Sequence, residues 1–262
     1  MSESTLDRAA SAADISLCRC ALYTALSLGF QAPSEETIAR LGGADSIDAL
    51  ADAAAPIDGQ PLAGLVRRLA QMRDTSALRL LEAAYRRVFG HTSRGVAPPY
   101  ETEYGDIGIF LQPQEMGDIG AFFRAFGLVL DSSQHERIDH ISCECEFMAF
   151  LCRKQAYALE SDDPVMGEQT VKAQRLFLRE HLGRFGPAFG RRVRREAPDS
   201  FYGVLGELCT AFLEADCRFL DAPCGPQFLQ LCPDSTQNVP MACGSCTELC
   251  EARDDTASES PL

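Results

Sequence analysis

One pattern dominates the 262-residue chain. Apolar residues return every three to four positions, and nowhere do they alternate over the length of a strand. Leu62, Leu65, Val66 and Leu69 share one helical face, as do Leu81, Ala84, Tyr85 and Val88. Met116, Ile119, Phe122, Phe123 and Phe126 make a further stripe, which stops at Gly127. Ile141, Cys145, Met148 and Cys152 make another, and Phe201, Val204, Leu205, Leu208 and Phe212 the last. A period near 3.6 marks a helix with one buried face, whereas a half-buried strand needs a period of two. No Asn-Gly turn sits between apolar runs, so hairpins are not expected. The punctuation agrees. Asp163 before Pro164 reads as an N-cap with a first-turn proline, and Pro33-Ser34-Glu35-Glu36 as a helix start. Gly183 is expected to close the helix carrying Leu176 and Phe177. The expectation is an all-α fold: a single globular domain of about nine or ten helices. No repeat of fixed length is present, so a solenoid is not expected.

Three stretches read as loops: residues 42 to 60, rich in Gly, Ala and Asp; residues 90 to 114; and a polar hinge from 131 to 138. Beyond Leu220 the helical period fails, and Pro, Gly, Cys and acidic residues take over. The expected organisation is a flexible N-terminus (1–13), an all-helical domain (14–220) and a Cys-rich, acidic C-terminal tail (221–262).

Charge narrows the function. With 38 acidic against 24 basic residues, the net charge is −14. Such a field repels a nucleic-acid backbone and attracts a basic partner. No apolar run approaches the roughly 20 residues that cross a bilayer. Met1 to Ala13 lacks the basic-then-apolar layout of a secretion signal, so a cytoplasmic location is expected.

The chain has 12 cysteines. Cys18, Cys20, Cys143, Cys145, Cys152, Cys209 and Cys217 fall inside helical patterns, where a thiol serves as a small apolar side chain. Cys224, Cys232, Cys243, Cys246 and Cys250 crowd the tail. Cys243-Gly-Ser-Cys246 has the spacing that lets two thiolates reach one metal, with Cys250 and Cys232 as further ligands. Zinc and an iron–sulfur cluster are both compatible with four thiolates, and so is a tail of free thiols with no metal.

Two stretches carry the polar chemistry. In Glu136-Arg137-Ile138-Asp139-His140-Ile141, Asp139 is expected to cap the helix that begins with His140. An Asp-His pair at such a junction is a catalytic dyad, a polar clamp for a ligand, or simply a cap. The nucleophile elbow, the His-Glu-x-x-His helix and the phosphate-binding glycine loop are all missing, which argues against a hydrolase. In Pro98-Pro99-Tyr100-Glu101-Thr102-Glu103-Tyr104, tyrosines stand among carboxylates. That mixture suits an arginine-bearing apolar peptide, which aromatic rings and acids recognise together. It is equally compatible with tyrosines packed on the core.

These stretches, in this order, also carry a resemblance. The Pro-Pro-Tyr-Glu-Thr-Glu-Tyr segment, Ile119-Gly120-Ala121-Phe122-Phe123-Arg124-Ala125-Phe126-Gly127-Leu128, and Glu136-x-x-Asp139-His140 running into Glu146-Phe147-Met148 resemble the TorD/DmsD/NarJ family. So does Leu22-Tyr23-Thr24-Ala25-Leu26-Ser27, continuing to Phe30 and Pro33. The resemblance spans residues 14 to 220. It implies an all-helical chaperone that matures a molybdenum-containing redox enzyme. Such a chaperone binds the twin-arginine signal peptide or apo-form of the catalytic subunit while cofactor is inserted and export is held back. It requires no cofactor of its own and acts as a monomer or homodimer. Carried over by position, the peptide-binding residues are Tyr23, Tyr100, Glu101, Glu136, Asp139 and His140, with Tyr104 joining from the same Tyr-rich segment. In that reading Asp139 accepts from an arginine, and His140 either adds pH sensitivity or holds Asp139 in place. The chain departs from the family in having no tryptophan and in placing Cys145 where leucine is usual. The rival reading is a metal- or iron–sulfur-binding redox sensor or electron carrier acting through the tail cysteines.

Overall fold

The computed structural model describes residues 11–41, 44–74, 78–90, 94–105, 112–130 and 136–233. Ten α-helices occur among them: α1 (Ala12–Phe30), α2 (Glu35–Arg40), α3 (Ala44–Asp58), α4 (Gln60–Asp74), α5 (Leu78–Phe89), α6 (Gln112–Ala125), α7 (Ile141–Glu160), α8 (Pro164–Glu180), α9 (Leu182–Glu196) and α10 (Phe201–Phe219). The remaining regular element is a single 3-10 turn, Glu101–Glu103. None of these helices is long and apolar enough to cross a membrane.

The helices start where the sequence supplies a cap. The Ser11 hydroxyl accepts from the Asp14 N–H, and the Asp14 carboxylate returns the bond to Ser11 N–H. Ser34, Asp163 and Ser200 cap α2, α8 and α10 in the same way, each taking a first-turn amide that would otherwise have no partner.

The hydrophobic stripes supply the core. α1 lies along α7, and α9 along α10; α3 and α4 pair with each other and cover α1 and α10. Ile141, Cys145, Met148 and Cys152 are all buried on α7, as are Phe201, Val204, Leu205, Leu208 and Phe212 on α10. The contact of α9 with α10 is made at backbone distance. A Cβ on Gly190 would stand 2.5 Å from the Gly206 carbonyl oxygen, and a Cβ on Gly206 2.5 Å from that of Gly190. Only a pair of glycines lets these helices approach so closely.

Through the middle of this apolar core runs one polar strut. Arg19 of α1 is fully buried and donates from Nε to Asp216 of α10 at 2.5 Å. It also reaches Gln174 of α8 at 2.7 Å and Gln155 of α7 at 3.2 Å. Tyr23 Oη donates to the same Asp216 at 2.6 Å. Four helices are tied by one guanidinium whose donors are well used.

Three expectations are corrected. Residues 44–58 form α3, where a loop was expected. Alanine is the best helix former, and Ala51 and Ala54 are fully buried, so small side chains there mark a close helix contact. The helix carrying Phe177 ends at Glu180, and Gly183 lies in the first turn of α9. It is glycine because a Cβ there would meet the Leu178 carbonyl oxygen at 2.5 Å. The segment after Leu220 does not leave the domain at once. Leu231 pairs with Tyr104, Cys232 is buried, and residues up to Cys232 belong to one compact unit.

Candidate functional site

The two polar stretches of the sequence meet. The segment from Pro99 to Glu101 lies antiparallel to residues 139–141 at the entrance to α7. Glu101 N–H donates to the Asp139 carbonyl at 2.9 Å, and Ile141 N–H to that of Pro99 at 2.8 Å. This short pairing sets the carboxylates of Glu101 and Asp139 beneath the surface, where both residues are fully buried.

Asp139 does not cap α7. Its carboxylate accepts from Thr102 Oγ1 at 2.7 Å and from Arg137 at 2.8 and 3.0 Å. The cap is His140, whose Nδ1 accepts from the Ser142 N–H at 3.1 Å. A buried carboxylate finds a charged partner in Arg137, which a helix terminus supplies only in part, so the capping role passes to the next residue. His140 is fully buried, and its pKa is pushed down to about 3 by burial and by Arg137. Its Nε2 lies 3.8 Å from Glu136, has no hydrogen-bond partner, and belongs to a neutral ring, so this contact is not an ion pair.

Arg137 is the exposed lid of this cluster. Its guanidinium lies over the Tyr100 ring at 4.4 Å, and its side chain is 38% exposed. Tyr100 Oη donates to Glu136 at 3.1 Å, and burial with the nearby Glu136 pushes the phenol up to about 12.

Glu101 faces the other way, toward α9. It accepts from Arg184, and His181 Nδ1 lies 3.2 Å from it. Arg184 also reaches Glu115 of α6 at 3.3 Å, and its side chain is 37% exposed. Glu101, Glu115 and His181 place one ligand atom each within 4.8 Å of one another, an arrangement able to hold a cation; Arg184 already supplies one there. From Glu115, His181 and Arg184 opens a groove of about 540 Å³, floored by Ala121, Phe122, Ala125 and Leu176. Behind the cluster stands Glu144, fully buried, with neither carboxylate oxygen hydrogen-bonded. Burial, then the charges of Glu101 and Asp139, hold its pKa well above the usual carboxylate range.

Of the residues expected from the sequence, Tyr100, Glu101, Glu136, Asp139 and His140 come together. Tyr104 borders them but turns inward, its Oη donating to the Pro98 carbonyl at 2.8 Å. Tyr23 lies in the Arg19–Asp216 strut, buried in the core. Cys232 packs under the 3-10 turn, its Sγ 3.5 Å from the Thr102 carbonyl oxygen and 3.2 Å from that of Gly105. Cys243, Cys246 and Cys250 lie outside the described residues. Sequence reading missed Arg137, Glu115, Glu144, His181 and Arg184. The last two lie some eighty residues from Glu101 and share no motif with it. The one hint was that His181 is among only four histidines in the chain.

Fold and site together define a helical protein whose polar centre is assembled from structural pairings around two semi-exposed arginines. Residues 52–191, more than half of the chain, match the nitrate reductase delta subunit family, and the chain belongs to that family. Among similar proteins is chaperone protein TorD of Vibrio cholerae serotype O1, 28% identical over 200 residues, which cover 74% of this chain and 88% of that one. The perchlorate reductase assembly chaperone protein of Dechloromonas aromatica is 35% identical over 99 residues, 37% of this chain and 43% of its own length. The selenate reductase assembly chaperone protein of Thauera selenatis is 35% identical over 94 residues, 36% of this chain and 47% of its own. The chain thus aligns with less than half the length of the two reductase assembly chaperones.

Proposed function

We propose that this chain is a cytoplasmic chaperone for the catalytic subunit of a molybdenum-dependent oxidoreductase. It binds that subunit's signal peptide or apo-form and assists cofactor insertion and assembly before export. It catalyses no reaction and requires no cofactor of its own. The names of its relatives, all assembly or Tor-type chaperones, support this reading.

The observation that carries it is the use of Arg137 and Arg184. Each seats a guanidinium on a buried carboxylate, Asp139 or Glu101, and each is more than a third exposed. Both carboxylates are therefore shaped to accept arginine at the surface. A partner bearing adjacent arginines takes these seats by displacing the protein's own side chains. Its apolar continuation lies in the groove floored by Phe122 and Leu176. The net charge of −14 draws the basic segment in.

The test is binding of a fluorescently labelled peptide carrying an Arg-Arg pair followed by an apolar run. Wild type is expected to bind it. Asp139→Asn keeps the side-chain volume and removes the charge, and is expected to weaken binding by roughly ten- to a hundredfold, the loss of one charge-assisted pair. Replacing the peptide's arginines by lysines is expected to weaken it too, because a guanidinium fork matches a carboxylate and an ammonium does not. Equal affinity of wild type and Asp139→Asn, with both shown folded by circular dichroism, refutes the site.

A further inference from the structure

The chain beyond α10 turns back and returns Cys224 to the Gly183 corner, where Cys217 also lies. α10 ends at Phe219, and Asp221 takes a left-handed backbone with φ 51°. Ala222 N–H then donates back to the Cys217 carbonyl at 2.9 Å. Three residues later Gly225 N–H donates to the Gly183 carbonyl at 2.9 Å. A Cβ on Gly225 would collide with the Arg184 carbonyl oxygen at 2.0 Å, so the returning strap is seated directly on the α9 backbone. Cys217 Sγ faces the same spot, 3.1 Å from where a Cβ on Gly183 would stand. Gly183 is thus the shared anchor. The strap is pinned to its carbonyl one residue after Cys224, and the Cys217 sulfur crowds the place a Cβ there would take.

The two thiols differ in the way a reactive pair requires. Cys217 is buried and Cys224 is exposed. The neighbouring Cys217 thiol holds the Cys224 thiol down to about 7, with Arg191 and Arg218 helping against burial and Glu214, and Cys224 in turn raises the thiol of Cys217. The buried Cys143, Cys145, Cys152 and Cys209 all have thiols raised by burial and are closed to solvent.

We propose that Cys217 and Cys224 form a reversible disulfide, making this corner a site of thiol oxidation by a peroxide. The Cys224 thiolate attacks one peroxide oxygen, the O–O bond breaks, and hydroxide leaves, giving a sulfenic acid at Cys224. The hydroxide takes the Cys217 proton and becomes water. The Cys217 thiolate then attacks the Cys224 sulfur, the S–O bond breaks, and a second water leaves with the proton from solvent. Two thiols have lost two electrons, and one peroxide has become two waters. The disulfide closes a loop across the turn at Asp221 and fixes the strap, whose far end pairs at Leu231 with Tyr104 and at Cys232 with the Glu103 carbonyl.

The experiment treats the full-length protein with hydrogen peroxide, alkylates the remaining thiols under denaturing conditions, and maps the tryptic peptides by tandem mass spectrometry. Cleavage after Arg218 separates the two cysteines, so their disulfide appears as a cross-linked peptide pair. The expected result is a Cys217–Cys224 link that a dithiol reductant removes. Cys224→Ser is expected to leave Cys217 alkylated. Cys217→Ser is expected to leave a Cys224 sulfenic acid that a cyclic diketone traps. Cys217 recovered free after oxidation of wild type overturns the proposal, and so does linkage of Cys217 to another cysteine with Cys224 unmodified.

Discussion

His140 offers a sharp electrostatic test of the site. The imidazole is sealed from solvent, caps α7 through Nδ1, and stands beside Arg137, so its folded-state pKa lies near 3 against an ordinary 6.5. A depressed pKa means that the unfolded chain binds the proton more readily. The contribution of this group is therefore intact above 6.5 and is lost as the pH falls toward the folded value. Each pH unit below the unfolded pKa costs about 1.4 kcal/mol. Between pH 7 and pH 5 the unfolded chain takes up about three-quarters of a proton at this position, which amounts to about 2 kcal/mol of stability lost. That figure holds for any folded pKa below about 4, because the folded imidazole then stays neutral across the window. His140→Asn keeps an acceptor for the Ser142 amide and removes the titration. Urea unfolding of both proteins at pH 7, 6 and 5, followed by circular dichroism, measures the difference. Every other titrating group is common to both and cancels. The wild type is expected to lose about 2 kcal/mol more than the variant on going to pH 5. Equal losses would mean that position 140 is open to protons in the folded state, and the sealed cluster described here would be wrong.

Glu144 should show the opposite sign. Its folded pKa is raised, so its contribution is present at acid pH and declines as the pH climbs above the ordinary carboxyl range; Glu144→Gln is expected to flatten the stability profile there, as read by urea unfolding from pH 5 to 8. Removing one side of the core strut, as Asp216→Ala, leaves Arg19 buried without its counter-ion and is expected to cost about 3–5 kcal/mol by calorimetry. Gly190→Ala forces a methyl group into the Gly206 carbonyl and is expected to cost about 1–3 kcal/mol. Gly64→Ala, on the open face of α4 with nothing within 4 Å, should be neutral or slightly stabilising and serves as the control for helix propensity.

Most of the helices were legible because burial on one face imposes a period that survives in the sequence, as the stripes on α7 and α10 show. The helix at 44–58 was misread because its contacts use alanine, which leaves a weak apolar signal while packing closely. At the site, Tyr100, Glu101, Asp139 and His140 were legible as local clusters. Tyr23 was placed with them, although its hydroxyl serves Asp216 in the core; nothing in a helical stripe says which buried tyrosine carries a structural hydrogen bond. Arg137 was read as part of the hinge and not as the partner of Asp139, and Arg184 carries no local cue, because ion pairs across helices leave no periodic trace.

The buried strut sets an order for synthesis. Asp216 is made some two hundred residues after Arg19, and the pair joins α1 to α10. Until the ribosome has released α10, an α1 packed in place would hold a guanidinium without its counter-charge, a cost of several kcal/mol. The nascent chain therefore gains by leaving α1 in water, and this part of its core closes only once α10 has emerged. A truncated product, lacking α10, would expose the apolar faces of α1 and α7 and present itself to the cell's quality control as unfinished.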